Sequence, residues 1–289
     1  MVPSTVMLSR ERPFLRLAAA VAVTLGLAAA SACSSSDQAQ VVGVNETTVT
    51  TVASDPTVVV VATAKGEELE VRATPPAGVE AASTTVTTAP PPKSVQAIPR
   101  VGLNSAGSRK TPDGWAFESP TYFKNPLVMV VTEKSGDWLR VMLHARPNGM
   151  EGWVRADQVE LTSHSYRMVL NLSEFELTVY DGDEVIERTE VVIGTDATPT
   201  PVGEFFLNEE IAQSNASGTF GPWILSTSAY SETLETFDGG LPVVAFHGTN
   251  QPDLIGTKAS NGCIRMPNDV VTRLADILPA GTAITILAE

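Results

Sequence analysis

The chain has 289 residues, of which 33 are acidic and 19 are basic, so its formal net charge is −14. This length suggests about two domains. The acidic balance argues against nucleic-acid binding, which requires a basic face on the protein. Solubility is the simpler explanation of the charge. Attraction of an amine-bearing substrate is the alternative.

The N-terminal 32 residues have the pattern of an export signal. Three arginines precede an apolar run, 17–30, that is too short for a comfortable membrane span. The run leads into Ala-Ser-Ala-Cys, which resembles a lipobox. This predicts that Cys33 is lipidated and becomes the mature N-terminus, anchored on the outer face of the cytoplasmic membrane and facing the cell wall. Ordinary cleavage after Ala32, which leaves Cys33 unmodified, is the alternative.

Two further regions are predicted before the C-terminal half. Residues 33–56 predict a disordered tether, because they are rich in Ser, Thr and Val without an apolar period. A small β domain is predicted over 57–163, with a low-complexity insertion at about 75–97. Its Trp-Leu-x-Val and Gly-Trp-Val segments resemble bacterial SH3-like wall modules. We interpret Trp138 and Trp153 as core residues rather than as a ligand platform.

The C-terminal part, 164–289, has the pattern of a second β domain. Short β-branched segments are separated by turn signals such as Asp-Gly-Asp at 181–183. One helix is expected near the end, capped by Asn268 or Asp269 and ended by Pro279. The predicted fold class is therefore mainly β: a small N-terminal SH3-like domain, then a β-sandwich or capped barrel with a short helix.

The stretch from His247 to Met266 carries the candidate chemistry. It begins His-Gly-Thr-Asn and ends Ser-Asn-Gly-Cys-Ile-Arg-Met. A thiol attacks an acyl carbon only as thiolate, and an imidazole can take its proton and later return it to a leaving amine. Cys263 is therefore the candidate nucleophile and His247 the candidate proton acceptor and donor. Backbone amides around Gly262 are the candidate donors to an oxyanion.

Arg265 follows the cysteine at a spacing of two residues, so in a strand the two side chains face the same side. A guanidinium there would steady a thiolate or clamp a substrate carboxylate. The opposite interpretation is that Cys263 is a small buried hydrophobe and His247 a core histidine, since free cysteine is commonly buried.

The rest of the chain offers no competing chemistry. His144 adjoins a turn and is expected to be solvated, and His164 has no evident partner. The sequence contains no phosphate loop, no dinucleotide-binding fingerprint and no Cys/His set adequate for zinc. Neither a metal nor a cofactor is therefore expected.

The candidate stretch resembles the signature of the L,D-transpeptidase catalytic domain, the YkuD family: His-Gly followed later by Ser/Thr-X-Gly-Cys-(Ile/Val)-Arg. The segment 193–205 is similar to the family's Gly…Thr-Pro-x-Gly-x-Phe, and 281–286 is similar to its closing strand. The resemblance covers about 165–288. One departure is Asn261, where the family often has a second histidine.

The resemblance implies a peptidoglycan L,D-transpeptidase. The thiolate of Cys263 would attack the carbonyl of the third stem residue, D-alanine would leave, and the amine of another stem would resolve the thioester into a 3→3 cross-link. Stem peptides are the implied partners, and carbapenems the implied covalent inhibitors. His247 would act as base and then acid, held by the carbonyl of Gly248 or Ser260. The predicted substrate-binding residues are Ser260, Asn261 and Arg265, which would line the pocket, together with Tyr230 and Trp223, which precede the histidine in sequence and would flank the cleft.

Other functions remain open for the same residues. Water as acceptor would make the site an L,D-carboxypeptidase, and a protein amine would make it an enzyme that anchors proteins to peptidoglycan. A sortase also uses His, Cys and Arg in this order, but its Arg lies tens of residues beyond the Cys. A non-catalytic wall-binding lipoprotein is the alternative of another class, and the intact His247 and Cys263 argue against it.

Overall fold

A computed structural model describes residues 57–79 and 107–289. These residues belong to one unit of the chain, Thr47–Glu289. The predicted export signal, the lipidation of Cys33 and the tether lie outside the described residues, as does most of the predicted insertion. In the described ranges, no helix is both long and apolar enough to span a membrane.

The first sheet is formed by eight of the described strands, all paired antiparallel in the order β3-β4-β2-β7-β6-β5-β1-β8. Alternate residues of these strands point to one face and form a core cluster, as the period of two requires. A short 3₁₀ helix, Ala156–Gln158, precedes the last strand. The strands are β1 (Val59–Ala64), β2 (Glu68–Arg72), β3 (Ser108–Thr111), β4 (Gly114–Glu118), β5 (Val128–Ser135), β6 (Trp138–Met142), β7 (Glu151–Arg155) and β8 (Val159–His164).

The remaining strands are β9 (Tyr166–Asn171), β10 (Glu176–Asp181), β11 (Glu184–Glu190), β12 (Ile193–Gly194), β13 (Gly203–Ala212), β14 (Trp223–Tyr230), β15 (Val243–His247), β16 (Lys258–Ser260), β17 (Ile264–Arg265) and β18 (Ala283–Leu287). Eight of them form the second sheet, in the order β11-β10-β9-β18-β13-β14-β15-β17. Two pairs in this sheet are parallel, β9 with β18 and β15 with β17. β12 and β16 form a separate parallel pair.

Within the described residues the one α-helix, α1, spans Asn268–Ile277. Val270, Val271 and Leu274 are its buried residues, whereas Ile277 is exposed. The predicted side-chain cap is wrong: Pro267 is the N-cap residue, and no side chain caps the helix. The predicted mainly β fold class with a short helix is confirmed.

The two sheets contact each other directly. Phe206 of β13 is fully buried in a cluster with Val61, Val128 and Val130 of the first sheet. The change from one sheet to the other falls between β8 and β9, near the predicted boundary at 163/164. Because the sheets share this cluster, the division into two separate domains stays a prediction.

A loop of the first sheet also holds the end of β14. The Asn148 side chain accepts from the Tyr230 amide at 2.9 Å and donates to the Tyr230 carbonyl at 2.8 Å. The His144 ring stacks on the Tyr230 ring with centroids 4.9 Å apart. The expectation that His144 is solvated is therefore wrong, and desolvation lowers its pKa to about 4.

Candidate active site

Parallel pairing of β15 and β17 assembles the candidate site. Phe246 lies opposite Ile264, and His247 lies opposite Arg265. The Met266 amide continues the ladder by donating to the His247 carbonyl at 2.9 Å. Cys263, the one free cysteine among the described residues, immediately precedes β17. The fold therefore brings together three of the residues singled out from the sequence.

The imidazole of His247 is held by the backbone of the next residue, at the end of β15. The residue is 2% exposed, and its Nδ1 lies 2.6 Å from the Gly248 carbonyl oxygen. Because a carbonyl oxygen only accepts, Nδ1 must carry the proton, which leaves the lone pair on Nε2. The Phe220 ring packs edge-on at 5.1 Å between centroids. The histidine therefore has the tautomer that a proton acceptor at Nε2 requires.

The environment keeps this histidine uncharged. Burial lowers the pKa of His247 to about 4; the Gly248 carbonyl acts in the opposite direction, and the positive charge of Arg265 adds to the lowering. At neutral pH the imidazole is therefore neutral and able to accept a proton.

The thiol is uncharged as well. Burial raises the pKa of Cys263 above its usual range, and a hydrogen bond with the Ala245 backbone and the charge of Arg265 offset part of the effect. The contact with Ala245 places the sulfur against β15, the strand that carries His247. Because the thiol pKa lies above the imidazole pKa, the proton stays on sulfur in the resting site, and its transfer must accompany attack on a substrate.

Hydroxyl groups hold the turn before Cys263. Ser260 Oγ donates to the Cys263 carbonyl at 2.5 Å and accepts from the Gly262 amide at 3.1 Å. Thr200 Oγ1 donates to the Gly262 carbonyl at 2.9 Å and accepts from the Gly194 amide at 2.9 Å. Gly262 has a φ of +111°, which a residue with a Cβ rarely adopts.

These bonds change two predicted roles. Ser260 was predicted to bind substrate, but it is 3% exposed and its hydroxyl is engaged twice within the turn. The Gly262 amide was a candidate oxyanion donor, but it donates to Ser260. The Cys263 amide is left as the candidate donor. Thr200, which the sequence indicated only as part of a motif, holds the same turn from another segment.

Three of the other predicted substrate-binding residues are at least partly exposed to solvent. Asn261 is exposed, and Arg265 is partly exposed with its Nη1 3.4 Å from Gln251 Oε1. Trp223 is partly exposed, and its carbonyl accepts from the Gly248 amide at 3.3 Å. Arg265 and Trp223 therefore lie beside the strand end that carries His247.

Tyr230 is not brought to this cleft. It pairs with Val243 at one end of β15, whereas His247 is at the other end and pairs with Ile224. Tyr230 is 1% exposed and stacks on His144 of the first sheet. Its predicted place beside the histidine is therefore wrong.

Asn268 and Gly221 support the candidate site, although the sequence did not indicate either of them as a site residue. A Cβ on Gly248 would collide with Asn268 Oδ1 and with the Gly221 backbone. The same Oδ1 accepts from the Thr249 amide at 2.7 Å. The backbone after His247 is therefore packed too closely for any residue but glycine. In the described ranges, no group of three or more His, Cys, Asp or Glu side chains is arranged to hold a metal ion.

Two histidines with lowered pKa values, the buried His247 and the partly exposed His144, predict acid sensitivity of the fold. The pKa values of His144 and His247 are about 4 in the fold, against about 6.5 for an exposed histidine. Below pH 6.5 the unfolded chain therefore binds more protons than the folded one. The free energy of unfolding is highest above that pH and falls as the pH drops towards 4. Each histidine should contribute a loss of about 2–3 kcal/mol by pH 4.5.

Denaturant unfolding of wild type and His144→Phe at pH 7 and pH 4.5 measures the effect. Phenylalanine keeps the stack on Tyr230 but does not titrate, so the variant should lose about 2–3 kcal/mol less on acidification. The prediction would be contradicted if the difference in unfolding free energy between wild type and His144→Phe were the same at pH 7 and pH 4.5.

The fold and the site together define a class of protein: a mainly β chain with a neutral imidazole at the end of one strand and a thiol immediately before the parallel strand beside it. Comparison with known proteins gives the family. The model of the L,D-transpeptidase catalytic domain, YkuD, matches residues 165–286. YqjB of Bacillus subtilis strain 168, an L,D-transpeptidase by name, is 31% identical over 124 residues, which cover 41% of this chain and 69% of YqjB. The chain belongs to the YkuD family of L,D-transpeptidases.

Two further similarities do not define the family by themselves. YkuD of Bacillus licheniformis is 36% identical over 121 residues, or 42% of this chain, and the match spans only 65% of the length of that relative. L,D-transpeptidase 3 from Mycobacterium tuberculosis, solved in complex with a faropenem-derived adduct, is 12% identical with a TM-score of 0.39, over 64% of this chain and 78% of that chain. The family assignment rests on the sequence matches.

Proposed function

We propose that this protein is a peptidoglycan L,D-transpeptidase that forms 3→3 cross-links through a thioester on Cys263. The observation that carries the proposal is the register of β15 and β17, in which Arg265 lies opposite His247 and Cys263 comes immediately before β17. Membership in the YkuD family supplies the reaction class.

Acylation begins with the Cys263 thiol and the His247 imidazole both uncharged. As Sγ of Cys263 attacks the carbonyl of the third stem residue, Nε2 of His247 takes the thiol proton. The Gly248 carbonyl accepts from Nδ1 throughout, so it keeps the ring in place and stabilises the imidazolium. The imidazolium then protonates the departing nitrogen of D-alanine, the C–N bond breaks, and a thioester remains.

The second half of the reaction reverses the proton path. The side-chain amine of a second stem attacks the thioester carbonyl, His247 takes the amine proton, and the sulfur leaves and regains a proton. Arg265 lies close enough to both groups to influence their pKa values, favouring the thiolate and disfavouring the imidazolium. Its guanidinium therefore stabilises negative charge on sulfur during both steps.

The same thiol would react with carbapenems. A β-lactam presents a strained acyl carbon to Cys263, and ring opening leaves the nitrogen attached to the adduct. Covalent inhibition by this class follows from the proposed mechanism.

Mass spectrometry of products tests the proposed function. The purified full chain, incubated with disaccharide-tetrapeptide, should yield a dimer whose mass is that of two substrates less one alanine. Monomeric tripeptide alone would assign the site to L,D-carboxypeptidase activity, with water as acceptor. Unchanged substrate together with an unreactive thiol would favour a non-catalytic wall-binding lipoprotein. Attachment of an added protein amine would instead indicate anchoring of proteins to peptidoglycan.

We further propose that the protein is exported and held on the outer face of the cytoplasmic membrane by two acyl chains on Cys33, a residue outside the described ranges. One acyl chain binds a bilayer only marginally, whereas two give stable attachment. Cys33→Ser should therefore move the protein from the membrane fraction to the soluble exported fraction. Wild-type retention of this variant in washed membranes would exclude the lipobox.

A further inference from the structure

The face of the first sheet that points away from its core carries an unusual set of side chains. A solvated sheet face normally presents scattered polar residues. Cross-strand partners share a face, and the register here puts two tryptophans among three arginines on one face, through the pairs Arg72 with Trp153, Trp153 with Arg140, and Trp138 with Arg155. Trp153 is buried on this face, at 3% exposed, whereas Trp138 is partly exposed, and neither belongs to the core cluster of the sheet or to the candidate active site.

The three arginines differ in how well they are neutralised. Arg140 lies 2.7 Å from a carboxylate of β7. Arg155 makes two hydrogen bonds to Asp157, at 3.0 and 2.9 Å. Arg72 has only a loose ion pair of 3.8 Å with the largely exposed Asp113. Its Nε is buried and has no hydrogen-bond partner in the part of the chain that the structure describes. That nitrogen is out of reach of a ligand, but the side chain is 39% exposed and 3.8 Å is too long for a good hydrogen bond, so the terminal nitrogens of Arg72 have unused binding capacity.

A pocket of about 200 Å³ is lined by Arg72. The guanidinium carbons of Arg72 and Arg155 each lie 5.7 Å from the ring centroid of Trp138, within the range of cation–π contacts. The indole therefore holds both guanidinium groups at the pocket wall. Glu70 and Asp113 also line the pocket, so positive and negative groups face the same small space.

We propose that this pocket binds a small zwitterion, a free α-amino acid. Its carboxylate accepts from the two terminal nitrogens of the Arg72 guanidinium, in the forked geometry that guanidinium groups offer to carboxylates. Its ammonium group faces Glu70 and Asp113. The two carboxylates in the lining disfavour a multiply charged anion such as phosphate. The volume admits a small amino acid but not a long peptide.

Fluorine NMR of the full chain labelled with 5-fluorotryptophan tests the site directly, because Trp138 lines the pocket. The Trp138 signal is assigned by its loss in Trp138→Phe. The probes are L-alanine, N-acetyl-L-alanine, L-alaninamide and inorganic phosphate, which separate the zwitterion from either charge alone and from an oxyanion. The variants are Arg72→Gln and, as a matched control, Arg109→Gln, an exposed arginine of the same sheet that is paired with Glu68 outside the pocket.

L-Alanine should shift the Trp138 signal saturably, with at least tenfold higher affinity than the other three probes. Arg72→Gln should weaken this binding at least tenfold, and Arg109→Gln should leave it unchanged. Equal affinity for N-acetyl-L-alanine or phosphate, or wild-type affinity in Arg72→Gln, would overturn the proposal, as would the absence of any saturable shift. Because the readout does not involve Cys263, failure here leaves the proposed cross-linking activity untouched.

Discussion

Replacement of Cys263 by alanine should reduce stem-peptide transfer by at least about 10³-fold and abolish covalent acylation by carbapenems. Both reactions require a sulfur that attacks an acyl carbon, and Cys263 is the free cysteine of the described residues. The side chain carries only one heavy atom beyond Cβ, so its loss should leave the fold intact. Intact-protein mass spectrometry after incubation with a carbapenem measures the adduct.

Cys33→Ser is the matched control for this experiment, since it removes the other cysteine of the chain. It should form the full carbapenem adduct. A full adduct on Cys263→Ala would overturn the assignment of the nucleophile. Loss of the adduct in both variants would point to a general effect on the protein, which a comparison of their thermal unfolding would detect.

Local patterns were sufficient to predict the elements of this fold. β-Branched runs and alternation predicted a mainly β chain, because a strand buries every second residue wherever it lies. The helix was expected in the correct place, since its apolar spacing and the following Pro279 are local signals. Its cap was misplaced because the Asn268 side chain is used by a distant backbone amide, that of Thr249.

Long-range register was not predictable. The motif named His247, Cys263 and Arg265, but their mutual placement depends on β15 pairing in parallel with β17. Tyr230 was assigned to the cleft because it precedes the histidine in sequence. The turn and bulge between them place it instead against the first sheet. A single strand does not encode its partner strand or its register.

Hydrogen bonds across segments were also invisible in the sequence. A serine hydroxyl is able to bind substrate. Only the structure shows that the hydroxyl of Ser260 is already hydrogen-bonded twice within the turn before Cys263. Thr200 bonds to Gly262 from 62 residues away. His144 lies near a turn, which suggested solvent exposure, yet a ring from the other sheet covers it.

Replacement of His247 should separate the two acylation reactions. General-base assistance is typically worth a factor of about 10²–10⁴. Release of D-alanine requires both removal of the thiol proton and protonation of a poor amine leaving group. Opening a strained β-lactam does not require the nitrogen to depart. We therefore expect His247→Ala to lower the rate of D-alanine release by at least about 10³-fold, and the rate of carbapenem acylation by a smaller factor.

The choice of variant follows from burial. His247 is 2% exposed, so alanine leaves a cavity and lowers stability. His247→Gln fills more of the volume and cannot act as a base near neutral pH, so it serves as the matched variant. Both proteins are first compared with wild type by circular dichroism and thermal unfolding, and only variants folded at the assay temperature are used.

The ratio of the two rate losses then assigns the role of His247. A larger loss for D-alanine release would mean that the imidazole also protonates the leaving amine. Equal losses would mean that it only activates the thiol. No loss in either reaction would make it a structural histidine and place the base elsewhere. The pH profile adds an independent check: because the pKa of His247 is about 4 in the free protein, the acid limb of wild-type acylation should fall well below pH 6.5. An acid limb centred near 6.5 would mean that the imidazole is solvated during turnover.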